Sequence, residues 1–199
     1  MINLAETLRA LNGAWRVFRN EPDALRYFDT SAEGFWRSFA AIVFIIPTFL
    51  LTALSDRQAM LADPTVEAGS DALYWAAKTV SLACDWVSLP ILLAALAGFL
   101  DMKRQYPVYI VVRNWATVVM MVPFAAISIL NLLGLAPVEL MLLPSLAALG
   151  FTLWFGYVIA RRTLQVGVDV AIGMVVLDFL VSIAVVRIVG RIFGVDLGA

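Results

Sequence analysis

Residues 73–100 form one apolar run with a carboxylate, Asp85, near its centre. The hydrocarbon core of a bilayer is about 30 Å thick and is crossed by about 20 apolar residues in a helix, so this run can span it. No water is available there, and the backbone groups must bond within the segment, which makes the run an α-helix. Lys78, Ser81, Asp85 and Ser88 recur at steps of three and four and therefore share one face. A polar stripe at that depth has to face other helices or water instead of lipid. The run thus predicts a multi-pass membrane protein with an ordered polar interior.

Four further runs can span: residues 36–54, 107–133, 138–160 and 168–190. Hydrophobic residues make up 62% of the 199, against about 45–50% in soluble domains, and the excess lies in these runs. The predicted fold is all-α: a five-transmembrane-helix bundle over residues 36–190, an N-terminal segment 1–35 and a short tail 191–199. No internal repeat is visible, and an odd number of spans does not fit a simple inverted duplication. Pro47, Pro90, Pro123 and Pro144 fall within four of the runs and predict kinks whose freed carbonyls need neighbours. Ala148, Thr152, Gly156 and Ala160 form a small-residue stripe, as do Ala94 and Gly98; such stripes permit close helix approach, within the bundle or between copies.

The connections set an orientation. Arg9, Arg16, Arg19 and Arg26 precede the first span; Lys103 and Arg104 lie in the second connection, and Arg161 and Arg162 in the fourth. The alternate side carries Arg57 and Arg191, with Lys78 and Arg187 near the span ends. The loop after the first span is otherwise acidic, with Asp56, Asp63, Glu67 and Asp71 around Pro64, and the third connection, through Gly134 and Pro137, is uncharged. Excess Lys and Arg mark cytoplasmic loops, which predicts a cytoplasmic N-terminus and an external C-terminus. Arg outnumbers Lys twelve to two, a composition consistent with a GC-rich bacterial genome and hence with a bacterial inner membrane.

Within residues 1–35, Leu4, Leu8, Leu11, Trp15 and Phe18 recur at helical spacing, with Asn3, Glu6, Arg9, Asn12, Arg16 and Arg19 around them. This is an amphipathic helix, lying either on the membrane surface or as a cap on the bundle. Pro22 ends it and can open a short helix over 22–28. Thr30 and Glu33 have the spacing of a capping box, and Phe35, Trp36 and Phe39 form an interfacial aromatic anchor. The late first apolar run, preceded by acidic residues, does not match a secretory signal.

Two other spans carry polar groups. Arg113, Thr117, Phe124, Ser128 and Asn131 cluster on one face of the third, and Asp178 and Ser182 lie near mid-depth in the fifth. Asp169 lies on the opposite face of the fifth span, near its cytoplasmic end, and reads as interfacial. Asp85 and Asp178 sit at similar depth, and either could pair with Arg113. Lys78 is about 10 Å from Asp85 along the helix axis and needs its own partner. The candidate network is therefore Lys78, Ser81, Asp85, Ser88, Arg113, Thr117, Asn131, Asp178 and Ser182. It either fixes helix register or forms a protonation or cation site.

The chain has no histidine, which excludes bis-His haem ligation, His-based zinc sites and Ser-His catalysis. No Gly-rich phosphate loop or Asp-rich metal motif is visible, and Cys84, the only cysteine, reads as a small apolar packer. A net charge of −1 gives no field that favours nucleic acid. No cofactor is expected and an enzyme is the least favoured class. The expected partner is the lipid bilayer, with a second copy or another membrane protein as further candidates.

The segment Glu33-Gly34-Phe35-Trp36-Arg37-Ser38-Phe39 leading to a span with Pro47, the stretch YIVVRNW at 109–115, and the turn between the last two spans resemble the Yip family (Ypt-interacting proteins). That resemblance implies five spans, a cytoplasmic N-terminus and a non-enzymatic role in organising membrane or serving as a scaffold or complex subunit. The alternative carried by the residues themselves is a small proton- or cation-coupled transporter that uses Asp85 and Asp178.

Overall fold

The computed structural model describes residues 4–62, 69–99, 101–135 and 138–197. Asn3, the loop residues Asp63, Pro64 and Glu67, the end of the second run at Leu100, and Pro137 lie outside the described residues. Helix α1 covers Leu4–Phe18. A 3-10 turn at Ala24–Tyr27 leads to α2 (Ala32–Ser38), which continues through a 3-10 turn at Phe39–Ala41 into α3 (Ile42–Ala62). Then come α4 (Asp71–Leu96), α5 (Tyr106–Met120), α6 (Val122–Leu132), α7 (Leu142–Leu164) and α8 (Val168–Phe193). Among the described residues there is no strand.

Five stretches are long and apolar enough to cross a membrane: Ala32–Ala62, Asp71–Leu96, Tyr106–Leu132, Leu142–Leu164 and Val168–Phe193. The chain is an all-α polytopic membrane protein. Its spans present Leu50, Val87, Ile91, Ile129, Leu143, Ile172 and Leu180 outward, each at least 39% exposed, an arrangement that suits lipid and not water.

The chain termini of several helices share one device. Asn20, Gly134 and Gly194 adopt left-handed backbone at φ 61°, 64° and 64°. At each, the next amide reaches back to the helix: Glu21 to the Arg16 carbonyl, Leu135 to Leu130 and Val195 to Gly190. This double turn satisfies carbonyls that would otherwise be orphaned at a helix end.

Three expectations are corrected. The cap before the first span is Ser31, whose hydroxyl accepts from the Gly34 amide at 3.0 Å, and not Thr30. The Asp29 carboxylate takes the Ser31 amide at 3.0 Å and so shifts the register by one residue, while Glu33 turns to Arg37 at 2.6 Å. The fourth span runs from Leu142 to Leu164, later than 138–160, because Val138–Met141 is a 3-10 turn. Pro144 consequently sits in the first turn of α7, where a missing amide costs nothing, and does not interrupt the span. Pro47 and Pro90 do lie inside helices, and Pro123 follows the break at Met121 that divides α5 from α6.

The main pairings are α3 with α6, α4 with α8, and α5 with both α7 and α1. Arg162 donates to the Asn20 carbonyl at 2.6 Å and also to the Glu21 carbonyl, and the Phe35 and Tyr106 rings lie 5.9 Å apart. The N-terminal segment and the second and fourth connections therefore share one end. At the other end Lys78 donates to Asp56 at 2.8 Å and to the Leu197 carbonyl at 3.1 Å.

Packing is uneven between these ends. The large core gathers at the N-terminal end, where Ala14, Val17, Ala24, Leu89, Ile110, Val112, Phe155 and Ala160 are 0% exposed. A small second cluster of Tyr74, Ala77, Val189 and Leu197 closes the opposite end.

Candidate intramembrane site

Between the two cores lies a cavity of ≈ 310 Å³. Asp85 reaches it from α4, Tyr109, Arg113 and Thr117 from α5, and Asp178 and Ser182 from α8; Thr152 and Gly156 of α7 complete the wall. Each side chain is placed by helical periodicity. Tyr109, Arg113 and Thr117 are one turn apart, as are Asp178 and Ser182.

Arg113 holds Asp178 at two points: Nη2 donates to Oδ1 at 2.7 Å and Nε to Oδ2 at 3.2 Å. The fork geometry matches a carboxylate, and both charges are thereby answered at depth. Thr117 donates to the Arg113 carbonyl at 2.9 Å. Asp85 lines the same cavity as Ser182, Arg113 and Asp178. The site therefore holds a neutral ion pair and one additional carboxyl group. Among the described residues no group of three or more His, Cys, Asp or Glu could hold a metal ion.

The structure divides the predicted network. Asp85, Arg113, Thr117, Asp178 and Ser182 come together. Lys78 belongs to the far end with Asp56. Ser88 donates to the Cys84 carbonyl at 2.6 Å, and the buried Ser81 hydroxyl makes no hydrogen bond. Asn131 donates to Ser55 Oγ at 2.7 Å in a second cavity, because it lies about 27 Å further along the span than Arg113. The Ala148–Thr152–Gly156–Ala160 stripe faces inward, with Gly156 close to Val175 of α8.

Helix α1 packs on the bundle as a cap and leaves part of its apolar stripe uncovered. Its small residues Thr7, Ala10, Gly13, Ala14 and Val17 are buried against the bundle. Leu4, Leu8 and Trp15 point out, at 69%, 58% and 50% exposure. Leu11 packs on the core, and Phe18 joins Phe151, Trp154 and Phe155 at ring distances of 5.6, 5.6 and 5.8 Å.

Sequence reasoning did not find the partner of Asn114, which is fully buried and donates to Ser38 Oγ at 3.0 Å. It also missed a charge cluster around Arg37, which meets Asp29, Glu33 and Glu6 at 2.6, 2.6 and 3.2 Å. The Glu33–Arg37 spacing was a usable signal; the longer contacts had none. Asp29, outside the spans, is held below the usual carboxylate range by the Ser31 hydroxyl first, then by the Ser31 amide, with Arg37 adding to both. A third cluster joins Arg57 to Asp71 at 2.6 Å, with the Tyr74 ring stacked beside the guanidinium.

The chain matches no family model, no curated protein and no solved structure.

Proposed function

We propose that this chain is a non-enzymatic integral membrane protein that binds a proton or a monovalent cation at Asp85, as a small carrier would. One observation carries the reading. The guanidinium at this depth is engaged at two points by Asp178, and Asp85 lines the adjoining cavity of ≈ 310 Å³ beside Ser182. A carboxyl group in a non-polar cavity is neutral or charged according to what occupies the cavity, and that dependence is the basis of coupled binding. Arg113–Asp178 supplies a fixed counter-dipole. The test is proton flux into proteoliposomes that carry an internal pH-sensitive dye, under an imposed potential. Asp85→Asn should abolish the flux while the protein still purifies as a single species. Undiminished flux in that variant overturns the reading.

A second reading keeps the Yip-like expectation of a membrane-organising scaffold or complex subunit, and the exposed Leu4, Leu8 and Trp15 on an otherwise anchored helix favour it. Here α1 seats its outer face in one leaflet. With a fluorophore attached through Arg9→Cys in a Cys84→Ser background, Leu8→Asp combined with Trp15→Asp should lower its quenching by lipid-borne quenchers and leave thermal unfolding unchanged. Equal quenching in the two proteins removes this mechanism. Both readings take the protein to reside in a bacterial cytoplasmic membrane with its N-terminus in the cytoplasm, in keeping with the Arg and Lys distribution.

A further inference from the structure

A second cavity, of ≈ 540 Å³, lies between α3, α6 and the start of α7. Half of its twelve lining residues are polar: Thr52, Ser55, Asp56, Ser128, Asn131 and Ser145. Asn131 and Ser55 satisfy one another, Thr52 donates to the Phe49 carbonyl and Asp56 pairs with Lys78, but a face this polar suits water better than hydrocarbon. The space accommodates on the order of ten or more waters. Its mouth is marked by Asp56, 48% exposed at the end where Lys78 and Leu197 lie.

Two residues, Met121 and Phe124, line both this cavity and the one that holds Asp85. They flank Pro123 at the break between α5 and α6. On the opposite side the Asp85 cavity ends on close-packed side chains: Tyr109 and Ile159, 3% and 1% exposed, backed by Ile110 and Phe155 at 0%. Helix α1 covers that end. The two directions from Asp85 are therefore unequal. One ends on a filled core, and on the other the two cavities share Met121 and Phe124 as lining.

We infer that the second cavity is a water-filled vestibule leading to Asp85 from the Asp56 end, with Met121 and Phe124 as the constriction between them. The solutes it admits are small and hydrated, a proton carried on water or a compact monovalent cation, because polar groups line the approach and an apolar pair narrows it. The inference rests on Asp85 as the binding group, but its test does not depend on transport.

Cys84 is the only native cysteine, so a Cys84→Ser background allows single cysteines to report accessibility. Gln58→Cys marks the Asp56 end and Asp23→Cys the other. Ser128→Cys reports the vestibule and Thr117→Cys the inner cavity. The probe is a membrane-impermeant trimethylammonium methanethiosulfonate, applied to sealed vesicles of either orientation. Ser128→Cys should react from the side on which Gln58→Cys reacts. Thr117→Cys should react slowly from that same side and at least about tenfold faster when Phe124→Ala is added, a change of about 1.4 kcal/mol in barrier. Met121→Ala serves the same purpose should Phe124→Ala not fold. The inference is overturned if neither truncation accelerates Thr117→Cys, if it reacts from the Asp23 side, or if only a membrane-permeant reagent reaches it. Should Asp85→Asn still abolish proton flux in that event, the route is wrong and the site stands; the intended labelling pattern with undiminished flux would leave the route and remove the site.

Discussion

Arg113 grips Asp178 at both carboxylate oxygens, at 2.7 and 3.2 Å, beside a cavity that Asp85 also lines. Two carboxyl groups at one depth thereby acquire different chemistry. Asp178 is the ion-pair partner of Arg113, and in the function proposed above Asp85 is the group that changes state.

This division predicts unequal mutational costs. Asp178→Asn leaves the guanidinium without its charge partner and should destabilise the bundle by about 2–3 kcal/mol, less than a fully buried pair because Asp178 is 35% exposed. Asp85→Asn should cost little stability. Thermal unfolding in detergent measures both, and a larger loss for Asp85→Asn contradicts the assignment.

Asn114 and Ser38 tie α5 to the end of α2, both at 0% exposure. Ser38→Ala leaves the Asn114 amide unpaired and should cost about 1–2 kcal/mol. Adding Asn114→Val, which removes the second polar group as well, should recover part of that loss. A double-mutant cycle on unfolding free energies decides it, and strict additivity would contradict the coupling.

Gly34 carries no side chain because there is no space for one. A Cβ there would lie 2.2 Å from the Asp29 carbonyl oxygen. Gly34→Ala should force the Ser31 cap apart and destabilise by about 1–3 kcal/mol. Amide exchange at residues 31–35 should rise with it, and unchanged protection would show that the turn yields cheaply.

Asp29 gives the N-terminal segment an acid limit. Its folded-state value lies below the ordinary one, held there by Ser31 and then Arg37. The stability it contributes is therefore present above the unfolded carboxylate value of about 4 and is lost as pH falls through the lowered folded value. Unfolding temperatures followed downward from pH 6 should fall more steeply for the wild type than for Asp29→Asn. Parallel curves would remove the linkage.

The five spans were readable because hydropathy and length alone decide them, and Asp85, Arg113 and Asp178 stood out as charges at depth. What joins them was not readable. Asp85 and Asp178 have equal claims on Arg113 in sequence, and the choice follows from how α4, α5 and α8 rotate against one another. Asn131 shares a helix face with Arg113 on a regular 3.6-residue count, but it lies about 27 Å further along the span and reaches another cavity. Thr30 lost its cap position to Ser31, whose own amide is taken by the Asp29 carboxylate, a partner upstream of the motif. Local patterns carry helices and caps, whereas partner choice depends on packing between distant segments.

The interruption at Met121 has a mechanical consequence. Above it, α5 is held by α1, α2 and α7; below it, α6 is held chiefly by α3. One span thus belongs to two packing groups, and Pro123 withholds the amide that would splice them rigidly. Any shift of the α3–α6 pair relative to the rest must be absorbed at this joint, which makes it the fulcrum of the bundle.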